Sequence, residues 1–388
     1  MAATTYIIGE GKMKYIGYYD TKQNRRNMNL AAVNKMNYVI RALNAAGNHV
    51  EVVACGMVAD IPEKKCTEVF NKQTEVYYFK ANRRRNGIIY SAYELIRRNI
   101  KLFMYLMCNV KRGETIIVYH SLALMRCVSL VKWFKRFKLF LEVEEIYNDV
   151  YLHSRSSKNA EIKFLKSADI YMFSSELICE KLQLEQKPHI VVYGPYDYCK
   201  ERIGRMNDGR VHVVYAGSFN PIKGGAVAAI QSAAWLPENY HIHILGRGKD
   251  RELETVLETI KETQKESKCL LTYDGVKLGE EYSRFLQTCD IGLSTQDPSK
   301  EYNASSFPSK ILTYMGNGLR VVSSVAPAVK RATISRHMYY CSEQKPEKIA
   351  DAILNVDLQD GYNGSEVIKM LDEECIDSIK KLLSADGA

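Results

Sequence analysis

Several signals that would place a chain in a special class are missing from these 388 residues. The ten cysteines include no Cys-x-x-Cys pair and no cluster with histidine, so neither a disulfide framework nor a zinc site is predicted. Residues 1–11 lack a basic region followed by an apolar core, which argues against a secretory signal. The most apolar stretch, residues 100–110, is far shorter than the ~20 residues that cross a bilayer. We therefore expect a cytoplasmic protein with no bound metal.

Basic residues are concentrated in the amino-terminal half. Residues 1–200 hold 31 Lys and Arg against 19 Asp and Glu, while the net charge of the whole chain is +9. In residues 95–103 and 130–137 the cations alternate with large apolar side chains, a pattern suited to a membrane surface. Nucleic acid is the alternative anionic partner, but no nucleic-acid-binding motif accompanies the charge. The sequence favours a peripheral membrane contact and no nucleic acid.

Strand and helix patterns alternate along the chain, which predicts an α/β fold with parallel sheets. Strands are predicted at residues 14–19, 49–54, 75–79, 115–119, 138–143, 168–173 and 189–192, with helices between them that include residues 91–110 and 122–137. A polar segment interrupts the series before a second one begins at Val211. We expect two doubly wound Rossmann-like domains that face each other across a cleft. Their predicted ranges are 1–196 and 211–365, with a linker at 197–210 and a helix at 366–388 that either crosses back to the first domain or packs on its own.

Two segments of the second half have glycines and cations where a phosphate could bind. In residues 213–225 a β-rich run ends in glycine, and a lysine with two glycines then opens a helix. In residues 307–318 a proline opens a short helix whose first turn carries Ser309 and Lys310, and helix N-termini attract anions. The spacing matches neither a P-loop nor a GxGxxG fingerprint.

Together these segments resemble the carboxyl-terminal half of the family-4 retaining glycosyltransferases of the GT-B architecture. In that family a Gly-x5-Lys-Gly loop and a Pro-Ser-Lys helix hold the nucleotide diphosphate of a sugar donor. Further pieces of the pattern stand at residues 242–248, 272–276 and 289–294, and the resemblance covers residues 211–324 well. It implies metal-independent transfer, with retention, from a nucleotide sugar to a hydroxyl of a growing glycan, such as a lipid-linked surface-polysaccharide precursor. No further cofactor is implied.

The resemblance also implies a donor site. Its residues are Gly217, Ser218, Lys223, Gly246, Ser305, Ser309, Lys310 and Thr313. The family usually has an arginine at the position of Ser218 and glutamates at those of Ser305 and Thr313, so three charges are missing here. A threonine hydroxyl can still bond a ribose, and Glu301 could supply a carboxylate from the same loop.

Candidate residues of the first domain follow its strands. His120 comes directly after the strand at 115–119 and looks like the family's histidine that contacts the sugar. Glu145 follows the next strand, where a carboxylate could orient or deprotonate the acceptor hydroxyl. In the first loop, Lys22, Arg25 and Arg26 would bind an acceptor phosphate, such as that of a polyprenyl-diphosphate-linked glycan.

Two other functions stay open. A nucleotide-sugar epimerase of the same architecture would need the donor but neither acceptor nor membrane. The missing glutamates also fit a non-catalytic subunit that binds a nucleotide sugar or a partner transferase. The transferase and the epimerase both require nucleotide-sugar binding, whereas the non-catalytic subunit could bind a partner transferase instead.

Overall fold

The computed structural model describes residues 12–20, 30–58, 67–80, 88–150, 155–220, 225–299 and 305–385. The chain divides into two compact units. The first comprises Met1–Phe173, Leu182–Val191 and Cys375–Ala388, and the second comprises Ser174–Lys181 and Val192–Glu374. The domain boundaries drawn from the sequence stay predictions.

The seven strands predicted for the first domain are all found at or near their predicted positions, and the structure adds others. In chain order the strands are β1 Met13–Gly17, β2 Val50–Val58, β3 Thr67–Asn71, β4 Thr74–Lys80, β5 Thr115–Tyr119, β6 Lys138–Val143, β7 Ile170–Phe173, β8 His189–Val191, β9 Val211–Ser218, β10 Tyr240–Arg247, β11 Leu270–Gly275, β12 Ile291–Ser294, β13 Arg320–Ser324 and β14 Tyr339–Cys341.

Helices connect most of these strands. They are α1 Leu30–Ala45, α2 Ile88–Asn109, α3 Met125–Lys135, α4 Tyr147–Val150, α5 Arg155–Leu165, α6 Glu176–Leu182, α7 Ala226–Gln231, α8 Asp250–Glu266, α9 Gly279–Thr288, α10 Lys310–Gly316, α11 Pro327–Arg331, α12 Pro346–Leu354 and α13 Gly364–Ala385, with 3₁₀ turns at Ser232–Trp235 and Ser335–His337. Within the described ranges, none of the helices combines the length and apolarity needed to cross a bilayer.

The first unit is built on an eight-stranded sheet with the order β3-β4-β2-β1-β5-β6-β7-β8. The predicted βαβ start is confirmed, since β1 pairs in parallel with β2 and with β5. The edge strand β3 runs antiparallel to β4 and was not predicted. All five of its residues are exposed, so it has no buried face that would create an alternating pattern.

The second unit is built on a six-stranded parallel sheet with the order β11-β10-β9-β12-β13-β14. Its first strand, β9, lies in the middle. The chain adds β10 and β11 on one side of it and then β12, β13 and β14 on the other. Helices α7, α8 and α12 cover one face through a continuous apolar core. In such sheets ligands bind beyond the carboxyl ends of the two strands where the order reverses, here β9 and β12.

A carboxyl group is buried in the centre of the first sheet. Glu142 of β6 is fully buried and accepts a hydrogen bond from the Tyr15 hydroxyl of β1. Its other oxygen has no hydrogen-bond partner among the described residues. Burial first, and then the nearby charge of Glu144, raise the pKa of Glu142 to about 8. The carboxyl is therefore protonated in the folded chain at pH values where an unfolded chain would ionise it.

This burial predicts a pH-dependent stability for the first unit. Because the folded pKa lies above the unfolded one, the native state holds an extra proton between about pH 4.5 and 8, and stability falls as pH rises through that window. Glu142→Gln should remove this decline and stabilise the unit at pH 8.5 by on the order of 2 kcal/mol. Urea unfolding at pH 5.5 and 8.5 measures the difference. Glu185→Gln, an exposed control in the same unit, should leave the decline intact.

Candidate functional site

The carboxyl ends of β9 and β10 approach each other closely at two glycines. Gly246 has φ +145°, and a methyl group built there would lie 1.9 Å from the carbonyl oxygen of Gly217. Just beyond, the Phe219 amide donates to the Arg247 carbonyl over 3.0 Å. A side chain at position 246 would force the two strand ends apart. The structure thus brings two of the predicted donor residues together.

Lys310 reaches the same place from α10. Its ammonium nitrogen lies 4.2 Å from the centre of the Tyr215 ring, and a methyl group built on Gly217 would lie 2.8 Å from that nitrogen. Among the residues that the structure describes, no carboxylate forms an ion pair with Lys310. The lack of a side chain at Gly217 leaves room for this cation at the end of β9.

Tyr314 holds α10 on the sheet. Its ring packs on Gly292 of β12, where a methyl group would lie 2.3 Å from the ring. Its hydroxyl oxygen accepts a hydrogen bond from the Ala216 amide at 2.8 Å, and the side chain is fully buried. One residue therefore fixes the helix to both β9 and β12. Tyr314 lies within the motif at residues 307–318, but no role was predicted for it from the sequence.

The end of β12 carries a hydroxyl that none of the described residues binds. Ser294 is 1% exposed, and its Oγ makes no hydrogen bond to any described residue. It lies on the same face of β12 as Gly292, because side chains alternate along a strand. The next residue, Thr295, donates to the Gly225 carbonyl at 2.9 Å and so ties the chain after β9 to the end of β12. Neither residue was predicted for the site.

The remaining donor candidates have mixed environments. Ser305 offers its carbonyl to the Ser175 hydroxyl at 2.6 Å. Ser309 is exposed and directly precedes α10, but its side chain makes no capping hydrogen bond to that helix. The Thr313 hydroxyl donates to the Ser309 carbonyl at 3.5 Å, a long hydrogen bond that leaves its lone pairs available.

Ser218, where the family usually has arginine, has a cationic neighbour. It stands in register with Arg247 on the adjacent strand β10. Arg247 is exposed, and no carboxylate of the described chain pairs with it. A guanidinium is therefore present at the carboxyl ends of β9 and β10, although it comes from the neighbouring strand and not from position 218. Register across two strands cannot be read from a local motif, which is why the sequence did not indicate it.

Five residues discussed from the sequence lie outside the described residues. They are Lys22, Arg25, Arg26, Lys223 and Glu301. Their roles stay predictions.

In the first unit, His120 lies in a buried cluster. It is 1% exposed, its ring stacks 5.0 Å from Tyr147 and 6.1 Å from Phe164, and burial lowers its pKa to about 4. Its Nδ1 lies 3.3 Å from the Glu145 carbonyl oxygen, which makes Nδ1 the protonated nitrogen. The imidazole is thus neutral at pH 7 and both of its nitrogens are buried. Its predicted contact with a sugar stays a prediction.

The chain after β6 is held by a carboxylate that sequence reasoning missed. Glu161 of α5 is fully buried and accepts the backbone amides of Tyr147 at 2.8 Å and Asn148 at 3.0 Å. These are the first amides of α4, so Glu161 caps that helix from 14 residues away. The cap fixes the segment that carries Glu145. This residue is half-buried, and its backbone carbonyl accepts the hydrogen bond from His120. The two predicted catalytic residues are therefore neighbours.

Comparisons with known proteins identify the fold. No protein-family model and no curated protein matches the sequence. Among solved structures, sucrose-phosphate synthase from Thermosynechococcus elongatus superposes with a TM-score of 0.69 at 14% identity, covering 97% of this chain and 99% of that one. HepE from Anabaena, in complex with UDP and glucose, gives 0.64 at 12% identity, covering 96% and 100%.

A UDP-forming α,α-trehalose-phosphate synthase from Burkholderia xenovorans, in complex with glucose-6-phosphate, gives a TM-score of 0.64 at 10% identity and covers 97% of this chain and 100% of that one. At such identities the likeness establishes the fold. The chain has the GT-B fold of two Rossmann-like domains, which confirms the predicted fold class.

The contacts of Tyr314 predict a specific loss of stability. Tyr314→Phe leaves the buried Ala216 amide without an acceptor, which should destabilise the second unit by about 1–3 kcal/mol. Chemical denaturation followed by circular dichroism measures the change. Tyr362→Phe is the matched control, because the buried Tyr362 hydroxyl has no partner among the described residues and its removal should cost little. Equal losses in the two variants would contradict the anchoring role.

Proposed function

We propose that this chain is a family-4-like retaining glycosyltransferase that transfers a sugar from a nucleotide-diphosphate donor to a glycan hydroxyl without a catalytic metal. The donor diphosphate binds at the carboxyl ends of β9, β10 and β12. The observation that carries the proposal is the Lys310 ammonium, placed over Tyr215 and against Gly217 at the reversal of strand order.

The side chains at these strand ends suit a diphosphate. Lys310 and Arg247 supply two cations that form no ion pair with a described carboxylate. Ser294 supplies a buried hydroxyl that makes no hydrogen bond to a described residue. The glycine at 246 lets the ends of β9 and β10 come close together, and the glycine at 217 leaves room for the Lys310 ammonium. A cation next to the leaving diphosphate stabilises the charge that develops as the sugar bond breaks.

The structural neighbours support the same class of ligand. HepE was crystallised with UDP and glucose, and the Burkholderia enzyme is named as UDP-forming and holds glucose-6-phosphate. We therefore propose a uridine nucleotide sugar as the first donor to test. For the acceptor we propose a lipid-linked surface-polysaccharide precursor, bound through Lys22, Arg25 and Arg26.

Within the first unit, we propose that the neutral imidazole of His120 and the carboxylate of Glu145 serve the acceptor side of the reaction. Their adjacency through the hydrogen bond from Nδ1 to the Glu145 carbonyl supports this pairing. Transfer then proceeds with retention, as the resemblance implies.

A second candidate function is a non-catalytic nucleotide-sugar-binding subunit. It is favoured by Thr313 and Ser305, which place no carboxylate where the resembling family has two. It shares the donor site and differs in turnover. Release of free nucleotide diphosphate from a sugar donor, in the presence of membrane extract as acceptor source, separates the two functions.

The donor site predicts a loss of affinity on removal of one charge. Lys310→Met should weaken binding of UDP more than tenfold, because about 1.4 kcal/mol or more of charge attraction to the diphosphate is lost. Isothermal calorimetry with UDP, GDP and ADP measures the affinities and identifies the base.

Lys277→Met is the control for this variant. Lys277 also lies over an aromatic ring, that of Phe285, but its ammonium is paired with Glu281 at 3.0 Å. Its loss should not change nucleotide affinity. Unchanged binding in Lys310→Met, with the fold intact by circular dichroism, would refute the proposed donor site.

We further propose that the first unit binds the inner face of a membrane. On α3, the side chains of Leu130, Trp133 and Phe134 are 49%, 72% and 53% exposed. They line a groove of about 1200 Å³ together with cations that include Arg136 and Lys163. Aromatic side chains beside basic ones bind the interface of an anionic bilayer. The neighbouring helix α2 also exposes Ile96, Ile100 and Met104.

The two tryptophans of the chain make this contact measurable. In a Trp235→Phe background, Trp133 is the sole tryptophan, and its emission should shift to the blue with vesicles of phosphatidylcholine and phosphatidylglycerol. Replacing both Trp133 and Phe134 with serine should weaken vesicle co-sedimentation more than tenfold, since each buried aromatic contributes about 1.5–3 kcal/mol.

Trp235→Ser is the matched control, because Trp235 is 52% exposed but lies in the second unit. It should leave vesicle binding unchanged. Binding that is absent, or equal on vesicles of pure phosphatidylcholine, would contradict the proposed anionic membrane contact.

A further inference from the structure

Three histidines converge on one face of the second sheet, at the amino ends of its strands. His212 of β9 is in register with His241 of β10, and His243 follows two residues later on the same face. The three side chains are buried, and one ring nitrogen from each lies within 4.8 Å of the other two. The ring centres of His241 and His243 are only 3.8 Å apart.

Carboxylates bind the outer nitrogens of two of these rings. His212 Nε2 lies 2.9 Å from an oxygen of Asp208, and His243 Nδ1 lies 3.1 Å from an oxygen of Asp274. An ionised carboxylate only accepts hydrogen bonds, so each outer nitrogen carries the proton. When such a ring is neutral, its inner nitrogen, His212 Nδ1 or His243 Nε2, carries a lone pair.

Thr272 orients the third ring in the same way. Its hydroxyl donates to Asp274 at 2.8 Å, which leaves its lone pairs for the Nε2–H of His241 at 3.0 Å. Each histidine thus has one nitrogen occupied by an oxygen partner and one that is left as an acceptor.

The inner nitrogens of His212 and His243 face each other at 2.9 Å. Because two lone pairs at that distance would repel, the two nitrogens must share either a proton or a metal ion. Two nitrogens bound to one Zn²⁺ at tetrahedral angles are about 3.3 Å apart, so a shift of a few tenths of an ångström would admit the ion.

We propose that His212, His241 and His243 bind one divalent transition-metal ion of the Zn²⁺ class, through three imidazole nitrogens in a buried site. Imidazole nitrogens suit Zn²⁺ and its neighbours in the first transition row. Carboxylates that hold the second nitrogen of ligating histidines recur around such ions, and Asp208 and Asp274 occupy that position here.

The site is distinct from the donor site. His212 lies five residues before Gly217 on β9. The two residues are therefore roughly 17 Å apart, at opposite ends of the strand. Bound there, the ion would join β9 to β10 and, through Asp274, to β11. Its role is to stabilise the second unit, so nucleotide binding does not depend on direct contact with it. Asp208 is 43% exposed and Asp274 is 22% exposed, which gives the ion a route from solvent.

The test uses the full chain, stripped of metal with a chelator and then titrated with Co²⁺ and Zn²⁺. One equivalent of Co²⁺ should give the visible d–d absorption of nitrogen and oxygen ligands, without the intense near-ultraviolet bands of thiolate coordination. Zn²⁺ should displace it and raise the melting temperature. His243→Gln should bind at least a hundredfold more weakly, and His337→Gln, a histidine of the same unit outside the cluster, should bind as the parent does.

Asp274→Asn keeps the shape of the site if His243→Gln fails to fold, and it should weaken Zn²⁺ ten- to a hundredfold. Absence of stoichiometric binding would overturn the proposal, as would thiolate bands or equal affinity in the His243 and His337 variants. If the metal-free chain instead shows an imidazolium signal from His212 or His243 by NMR at pH 7, and binds no metal, a shared proton takes the place of the ion.

Discussion

The candidate donor site depends on the way one buried tyrosine attaches a short helix to the sheet. α10 has only seven residues, too few to be stable through its own backbone hydrogen bonds. Tyr314 compensates by packing on Gly292 and by accepting the amide of Ala216. Lys310 lies four residues earlier, on the same side of the helix, so the anchored ring also determines where the ammonium group stands. A glycine at 292 and a glycine at 217 are both required, the first for the ring and the second for the cation.

The sequence predicted what depends on local pattern. The strands β1, β5 and β6 are buried along almost their whole length and are therefore nearly continuous apolar runs, and the helix α3 has one buried side; the structure confirms all four. It did not predict contacts made by residues far apart in the chain. Glu161 caps α4 from 14 positions away, and His212 and His243 meet across 31 positions. Neither leaves a motif, because the geometry that joins them comes from strand register and from helix packing.

The same limit explains the charge that was thought to be missing. A motif compares one position at a time, and Ser218 has no charge where the resembling family has arginine. In the folded chain Arg247 stands beside it in register, at the end of the neighbouring strand. A cation supplied by the adjacent strand can serve the same anion, because electrostatic attraction depends on distance and not on position in the sequence. A fold shared at 10–14% identity with known structures allows such exchanges between neighbouring positions.

In the second sheet, the two ends of the parallel strands carry side chains of different chemistry. All six strands of the second sheet point the same way. The glycines, Lys310 and Arg247 therefore lie at the carboxyl ends, while the three histidines and Asp208 lie at the amino ends of β9 and β10. At the carboxyl ends, Lys310 and Arg247 form no ion pair with a described carboxylate, so their charges attract an anion. The amino ends have imidazole nitrogens, which bind a cation when they are not protonated. Because β9 and β10 carry residues of both sets, a metal ion that joins their amino ends would also fix the spacing of Gly217 and Gly246 at the other end, where the backbones already approach within contact distance.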